Sequence, residues 1–205
     1  MRVTVFGASG RTGRLVVAEA LARGAEVTAA VRDPAKASFD ERVDVAVGDA
    51  RDDDAVRAAI AGADAVASTL AIAEGTEPTT AMSDATRTIV EVMEDAFAEG
   101  GSRRLVVTAN STVFSDREIA DPYRIVAEEH RRDVAILRGS MLAWTVLAPK
   151  LLRDDPAAGA PEVVLDAAAT GRSISRAALA RLVVESVERD DWVGHLVGVA
   201  DEQPS

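Results

Sequence analysis

Polar and apolar positions follow two rhythms that take turns along the chain. Arg2–Phe6 is a short β-branched run of period two, which predicts a strand. Over 11–23, Leu15, Val16, Ala18, Ala20 and Leu21 fall at helical spacings, and Gly24 stands where a helix would be capped. Ala25–Val31 reads as a second strand, ended by the turn signal Arg32-Asp33-Pro34, and Val43–Val47 as a third, closed by Gly48-Asp49. Asp52 is placed to N-cap a helix to Ile60, with Gly62 ending it. Asp64–Thr69 is a fourth strand. Thr79–Glu99 then carries Met82, Ile89, Val90, Met93 and Phe97 with a helical period up to Gly100-Gly101. A fifth strand is read at Arg104–Thr108, a helix at Pro122–Leu137 and a sixth strand at Leu142–Ala148. Beyond them come a strand at Glu162–Leu165, a helix at Ile174–Val187 and a last strand at Leu196–Val199. Leu151–Pro161, rich in Asp and Pro, reads as a loop on the rim of a pocket.

Strands that alternate with helices imply parallel pairing through right-handed crossovers. A sheet of this kind binds ligands at the carboxyl ends of its strands. The first such end holds Gly7, Gly10 and Gly13, spaced G-x-x-G-x-x-G, directly before the first helix. Lack of a Cβ permits the tight turn at Gly7, close approach of backbone to a diphosphate at Gly10, and close packing of helix on strand at Gly13. The helix N-terminus adds free N–H groups and a partial positive charge. Gly7, Ala8, Ser9, Gly10, Arg11, Thr12 and Gly13 thus form a candidate dinucleotide cradle. The fold expected is α/β, a Rossmann-type doubly wound, mainly parallel sheet flanked by helices. It forms one domain over 1–205, with a cofactor half at about 1–110 and a small C-terminal substrate-side extension within 111–205.

An NAD site carries an acidic residue at the end of the second strand, where it holds the ribose hydroxyls. Here that strand is followed by Arg32. A guanidinium grips a 2′-phosphate in a bidentate way, and Arg11 and Lys36 add charge, so NADP(H) is preferred over NAD(H). Asp33 reads as a turn cap. Asp49, with Ala50 beside it, has two readings: an acceptor for the adenine amino group, or a cap of its own turn. Leu70 and Ala71, after strand four, bring backbone and a small side chain near the adenosine and ribose.

Composition narrows the partners. The formal net charge of −11 argues against nucleic acid. There is no cysteine and there are only two histidines, so no metal site is expected. No apolar stretch reaches the roughly 18 residues that span a bilayer. The opening MRVTVFG reads as too short for a signal peptide, and a cytoplasmic protein without membrane contact is expected. Alanine-rich helix faces fit a monomer or a weak homodimer.

Several stretches are shared with a known family: FGASGRTG (6–13), VTAAVRDPAK (27–36), VGDARDDDAV (47–56), PTTAMSDATRTIVEVM (78–93), RLVVTANS (104–111), EEHRRDVAILRGSMLAWTVLAPKLL (128–152) and GRSISRAALA (171–180). With them the chain resembles the atypical short-chain dehydrogenases of NmrA-like, NAD(P)H-binding type, and among those the flavin reductase and biliverdin-IXβ reductase group. The resemblance implies hydride transfer from NADPH to a small conjugated acceptor of flavin, tetrapyrrole or quinone type. By position it implies that Gly7–Gly13 hold the pyrophosphate and Arg32 the 2′-phosphate. Ser111, preceded by Ala109 and Asn110, would face nicotinamide and substrate. Pro149, Lys150 and Leu151 would line the nicotinamide pocket, and His130 would stand at the substrate mouth. Lys150 stands where that group tends to carry histidine.

The Tyr-x-x-x-Lys pair of ordinary short-chain dehydrogenases is absent, because the lone Tyr123 is followed four residues later by Ala127. Tyr123 reads as a packing residue. Hydride transfer to an electron-poor ring does without the pair, since orientation and a closed pocket suffice. Ser111 and His130 are the candidate catalytic residues. Ser111 otherwise reads as a turn cap, and His130, inside the charge run Glu128–Arg132, as a surface residue on a solvated helix. Lys150 either draws an acidic acceptor or is a plain surface lysine. A stacking face for a flavin would rest on Trp144, Phe114 or leucines. Trp192 and Leu196, beside His195, read as packing residues. Three functions stay open: the reductase, a dinucleotide-binding sensor without turnover, and an epimerase or carbonyl reductase on the same scaffold.

Overall fold

The computed structural model describes residues 1–36, 38–72, 77–156 and 159–201. Strand β1 (Arg2–Phe6) leads through Gly7–Gly10 into helix α1 (Arg11–Ala22), followed by β2 (Glu26–Val31) and β3 (Val43–Val47). Helix α2 (Asp53–Ile60), β4 (Ala65–Ser68), α3 (Ala81–Ala98) and β5 (Arg104–Thr108) complete the first half of the chain. A 3-10 turn (Ser111–Phe114), α4 (Arg124–Arg138), β6 (Ala143–Pro149), β7 (Leu151–Arg153), β8 (Pro161–Leu165), β9 (Ser173–Ser175), α5 (Arg176–Ser186) and β10 (Leu196–Asp201) follow.

Eight strands form one sheet in the order β3-β2-β1-β4-β5-β6-β10-β8. Every pairing in it is parallel except β8 with β10, which is antiparallel. The expected doubly wound sheet is therefore present, and its strand order reverses between β1 and β4. Period two sends Val3 and Val5 to one face, where they pack with Val16, Val17, Leu179 and Val183 of α1 and α5. Phe6, Val66, Leu105 and Val107 face the other way, against Ile89, Met93 and Leu137 of α3 and α4. Helices cover both faces of the central strands, and open ground lies at the strand ends and along the edge strand β3, where Val45 and Val47 are exposed. Among the described residues no helix is long and apolar enough to cross a membrane.

Local signals placed most boundaries. Asp52 caps α2 by accepting from the Ala55 N–H at 2.9 Å. Gly24, Gly62 and Gly100 have positive φ behind α1, α2 and α3. The last third departs from the expectation. Leu151–Arg153 is a strand and not a loop: it pairs in parallel with Ser173–Ser175. Ile174 and Ser175 accordingly belong to β9, and Ser175 caps α5 by accepting from the Ala178 N–H at 3.0 Å. A three-residue strand has no period to read, and its partner lies some 20 residues on. Tyr123 is not packed but 55% exposed just before α4. Trp144 is buried near the amino end of β6, in register with Leu105, and offers no stacking face at the opposite edge. Trp192 and Leu196 are buried as expected, and His195 Nδ1 lies 2.6 Å from Asp166.

Candidate functional site

The first βα corner is shaped by missing side chains. Gly7 has φ +72, where a side chain is strained, and an added Cβ would lie 2.8 Å from the Thr69 carbonyl oxygen. At Gly13 a Cβ would overlap the Gly7 carbonyl oxygen and sit 2.8 Å from Ala8 Cα. The Gly10 N–H closes the turn on the Gly7 carbonyl at 2.9 Å. Helix α1 then starts at Arg11 with no side-chain cap and no acidic residue in its first turn. Its leading N–H groups and dipole are left for an anion. Arg14 holds the loop in shape: its Nε donates to the Ser9 carbonyl at 3.0 Å and Nη2 to the Lys36 carbonyl. Thr69 closes the corner from β4, its hydroxyl donating to the Phe6 carbonyl at 3.0 Å.

Beside this corner lies a cavity of about 630 Å³. It sits over the carboxyl ends of β1 and β4, where the strand order reverses, which is where open α/β sheets bind dinucleotides. Gly7, Ser9 and Gly10 line it from the glycine loop, Arg32 from the end of β2, Asp49 and Ala50 from the end of β3, and Leu70 and Ala71 from the end of β4. The volume is within the range of small-molecule and cofactor sites, roughly 300–1,000 Å³. Absent side chains at the corner, an uncapped helix start and an arginine past β2 together fit a dinucleotide with two phosphate regions. Ala8 is buried, Thr12 is half-buried, and Gly13 packs on the loop, so these three shape the cradle from behind.

The basic residues are not all where the sequence reading put them. Arg11 turns away from the cavity and pairs with Asp154 at 3.3 Å. Asp154 also takes Arg176 of α5 at 2.5 Å. Lys36 lies 3.5 Å from Asp33, whose other oxygen accepts from the Ala35 N–H at 3.0 Å as a turn cap. Arg32 forms no ion pair among the described residues. Asp49 takes its turn-capping reading: it accepts from the Arg51 N–H and Nε, both at 2.9 Å, and from Nη2 at 2.7 Å. Those bonds hold its carboxyl at about 2.

The sequence reading missed one wall. Thr79, Ala81, Met82 and Ala85, at the start of α3, line the cavity, as does Arg51. The available sign was that α3 is the next helix after β4, as α1 is the next after β1. The start of α3 is pinned by α4. Glu129, 0% exposed, accepts from the Met82 and Ser83 N–H groups at 2.9 and 3.0 Å and from the Ser83 hydroxyl at 2.8 Å. Arg132 donates to the same carboxylate at 2.6 Å and to the Thr79 carbonyl at 3.2 Å. Burial pushes this carboxyl up, but the bonds from Ser83, Arg132 and Met82 outweigh it and leave it below its ordinary range.

The charge run 128–132 is therefore only partly solvated, and the surface reading of His130 is corrected. The residue is 6% exposed, with Nδ1 3.9 Å from Asp133, and it does not line the cavity. A helix buried on one flank takes whatever the period puts there, polar or not. Burial lowers His130 to about 4, against the field of Glu129. Burial likewise pushes Asp133 up to about 7. Ser111 opens the 3-10 turn behind β5, half-buried, and it is Asn110 that caps the turn, its side chain accepting from the Thr112 N–H at 3.0 Å. Ala109 donates from its N–H to the Leu147 carbonyl at 2.8 Å, so the ends of β5 and β6 lie side by side. Ala109, Asn110, Ser111, Pro149, Lys150 and Leu151 thus share the carboxyl edge of the sheet, outside the lining of the main cavity.

Comparison with known proteins agrees with this geometry. The model of a family described as NAD(P)H-binding matches residues 7–190. Among solved structures, a protein from Lactobacillus casei superposes with a TM-score of 0.85 at 22% identity, covering 99% of this chain and 100% of that one. ChuY, an anaerobilin reductase from Escherichia coli O157:H7, gives 0.80 at 22% identity over 100% of both chains. A short-chain dehydrogenase/reductase from Veillonella parvula, solved in complex with NADP, gives 0.78 at 18% identity, covering 100% of this chain and 98% of that one. At these identities the likeness concerns the fold, and the family match spans most of the sequence: the chain belongs to the NAD(P)H-binding family.

Proposed function

We propose that this protein is an NADPH-dependent reductase that passes hydride to a small conjugated acceptor of flavin, tetrapyrrole or quinone type. It acts in the cytoplasm as a monomer or weak homodimer. The observation that carries the reading is the 630 Å³ cavity at the β1–β4 reversal, with bare backbone at one wall and Arg32 at its end.

When bound, the dinucleotide supplies hydride from nicotinamide C4, and solvent supplies the proton that completes reduction of the acceptor. The chain contributes binding, orientation and exclusion of water. Amides of Gly7–Gly13 and the first turn of α1 hold the diphosphate. Arg32 holds the 2′-phosphate and sets the preference for NADP(H) over NAD(H). Arg11 and Lys36 reach a phosphate only by giving up Asp154 and Asp33. Leu70, Ala71 and the start of α3 close over the adenosine side. At the edge formed by β5 and β6, Ser111 donates a hydrogen bond to the carboxamide or the acceptor, flanked by Ala109, Asn110, Pro149 and Leu151. Lys150, half-buried there, draws an acidic acceptor. His130 is buried and neutral near pH 7, so this reading gives it no proton to transfer.

The test mixes purified protein with NADPH and FMN, a quinone or a linear tetrapyrrole, and follows loss of the nicotinamide absorbance band after a fluorescence titration of the cofactor. Oxidation of NADPH that depends on one acceptor class is expected. Tight binding with no oxidation across all three classes would replace the reductase with a dinucleotide-binding sensor.

A further inference from the structure

The end of the cavity beyond β2 and β3 carries two guanidinium groups. These strands are neighbours, with Val31 in register with Val47, so the residues just past them emerge together. Arg32 comes from one, Arg51 from the other, and both line the cavity. Asp49 stands with them. It takes the backbone N–H, Nε and Nη2 of Arg51 and feels the field of Arg32 as well. Arg51 is thereby held along one edge of its planar fork. Its Nη1 makes no hydrogen bond among the described residues. Two guanidinium groups thus gather around Asp49 at this end of the cavity, and Arg51 also feels the field of Asp84 on α3, in a chain whose formal net charge is −11.

That arrangement suits a phosphate dianion better than a pair of hydroxyls. A fork fixed by a neighbouring carboxylate has already lost its rotamer freedom, so less is lost when it grips a ligand. We propose that Arg51 is a second specificity-determining residue for the adenosine 2′-phosphate, gripping it from the β3 side while Arg32 grips it from the β2 side, with Asp49 as the brace of Arg51. The inference rests on the NADP(H) reading above and adds a residue to it.

The experiment measures dissociation constants of NADPH, NADH and 2′,5′-ADP for wild type, Arg51→Ala and Arg51→Lys by calorimetry. With Arg51→Ala, NADPH and 2′,5′-ADP are expected to weaken about tenfold, as for loss of one charge-assisted bond, and NADH by less than about twofold. Arg51→Lys, which keeps charge without the fork, is expected to recover part of the loss and serves alone if the alanine variant does not fold. Equal weakening of NADPH and NADH, or no change in either, overturns the role of Arg51. Failure of wild type to bind either dinucleotide overturns the cofactor reading itself, a separate outcome from failure of Arg51.

Discussion

Glu129 of α4 caps α3 through Ser83. One carboxylate oxygen accepts from the Ser83 N–H at 3.0 Å, and the other accepts from the Ser83 hydroxyl at 2.8 Å. A helix start is a cluster of unpaired donors. Here a neighbouring helix satisfies them with a fully buried charge, which also takes the N–H of Met82 in the cavity lining. This cavity wall thus depends on the packing of α3 on α4.

Removing that carboxylate leaves buried donors without acceptors. Glu129→Ala is expected to cost about 3 kcal/mol of stability, the scale of breaking a buried, hydrogen-bonded charge. Urea denaturation checks it, and a loss below about 0.5 kcal/mol would contradict the capping role.

Asp133 and His130 give opposite pH dependences. As pH rises from 3.8 towards 7, the folded chain keeps the Asp133 proton that the unfolded chain gives up, so stability falls. Between about 4 and 6.5 the unfolded chain keeps a His130 proton that the folded chain lacks, so stability rises. The two slopes offset in wild type. Asp133→Asn is expected to make stability climb with pH over this window relative to wild type, by up to about 1.4 kcal/mol per pH unit, and His130→Asn to make it fall. Urea midpoints at four pH values would show it; curves parallel to wild type for both variants would refute it.

Gly13→Ala pushes a methyl group into the Gly7 carbonyl. Backbone cannot step aside cheaply, so a loss of about 1–3 kcal/mol is expected together with weaker NADPH binding. Thermal unfolding and a fluorescence titration read the two effects. A variant with wild-type stability would show that the corner is looser than its contacts imply.

Arg32→Glu reverses the charge at the end of the cavity. NADPH is expected to weaken at least about tenfold while NADH changes little. Equal effects on both cofactors would remove Arg32 from the 2′-phosphate.

The sequence by itself determined the alternation of strand and helix through β6, the bare corner at Gly7–Gly13 and the arginine past β2. Each of these is local. Period two or 3.6 fixes which face a residue takes, and a glycine requirement is set by φ and by neighbours a few residues away. Only the tertiary structure decided the partners of charged side chains and the pairing of short strands. Glu129 meets Met82 across 47 residues, Arg11 meets Asp154 across 143, and Leu151 finds Ser173. Whether a charge run is solvated, or a basic residue is free for a phosphate, depends on which distant segments the fold brings against it, and no periodicity along the chain records that.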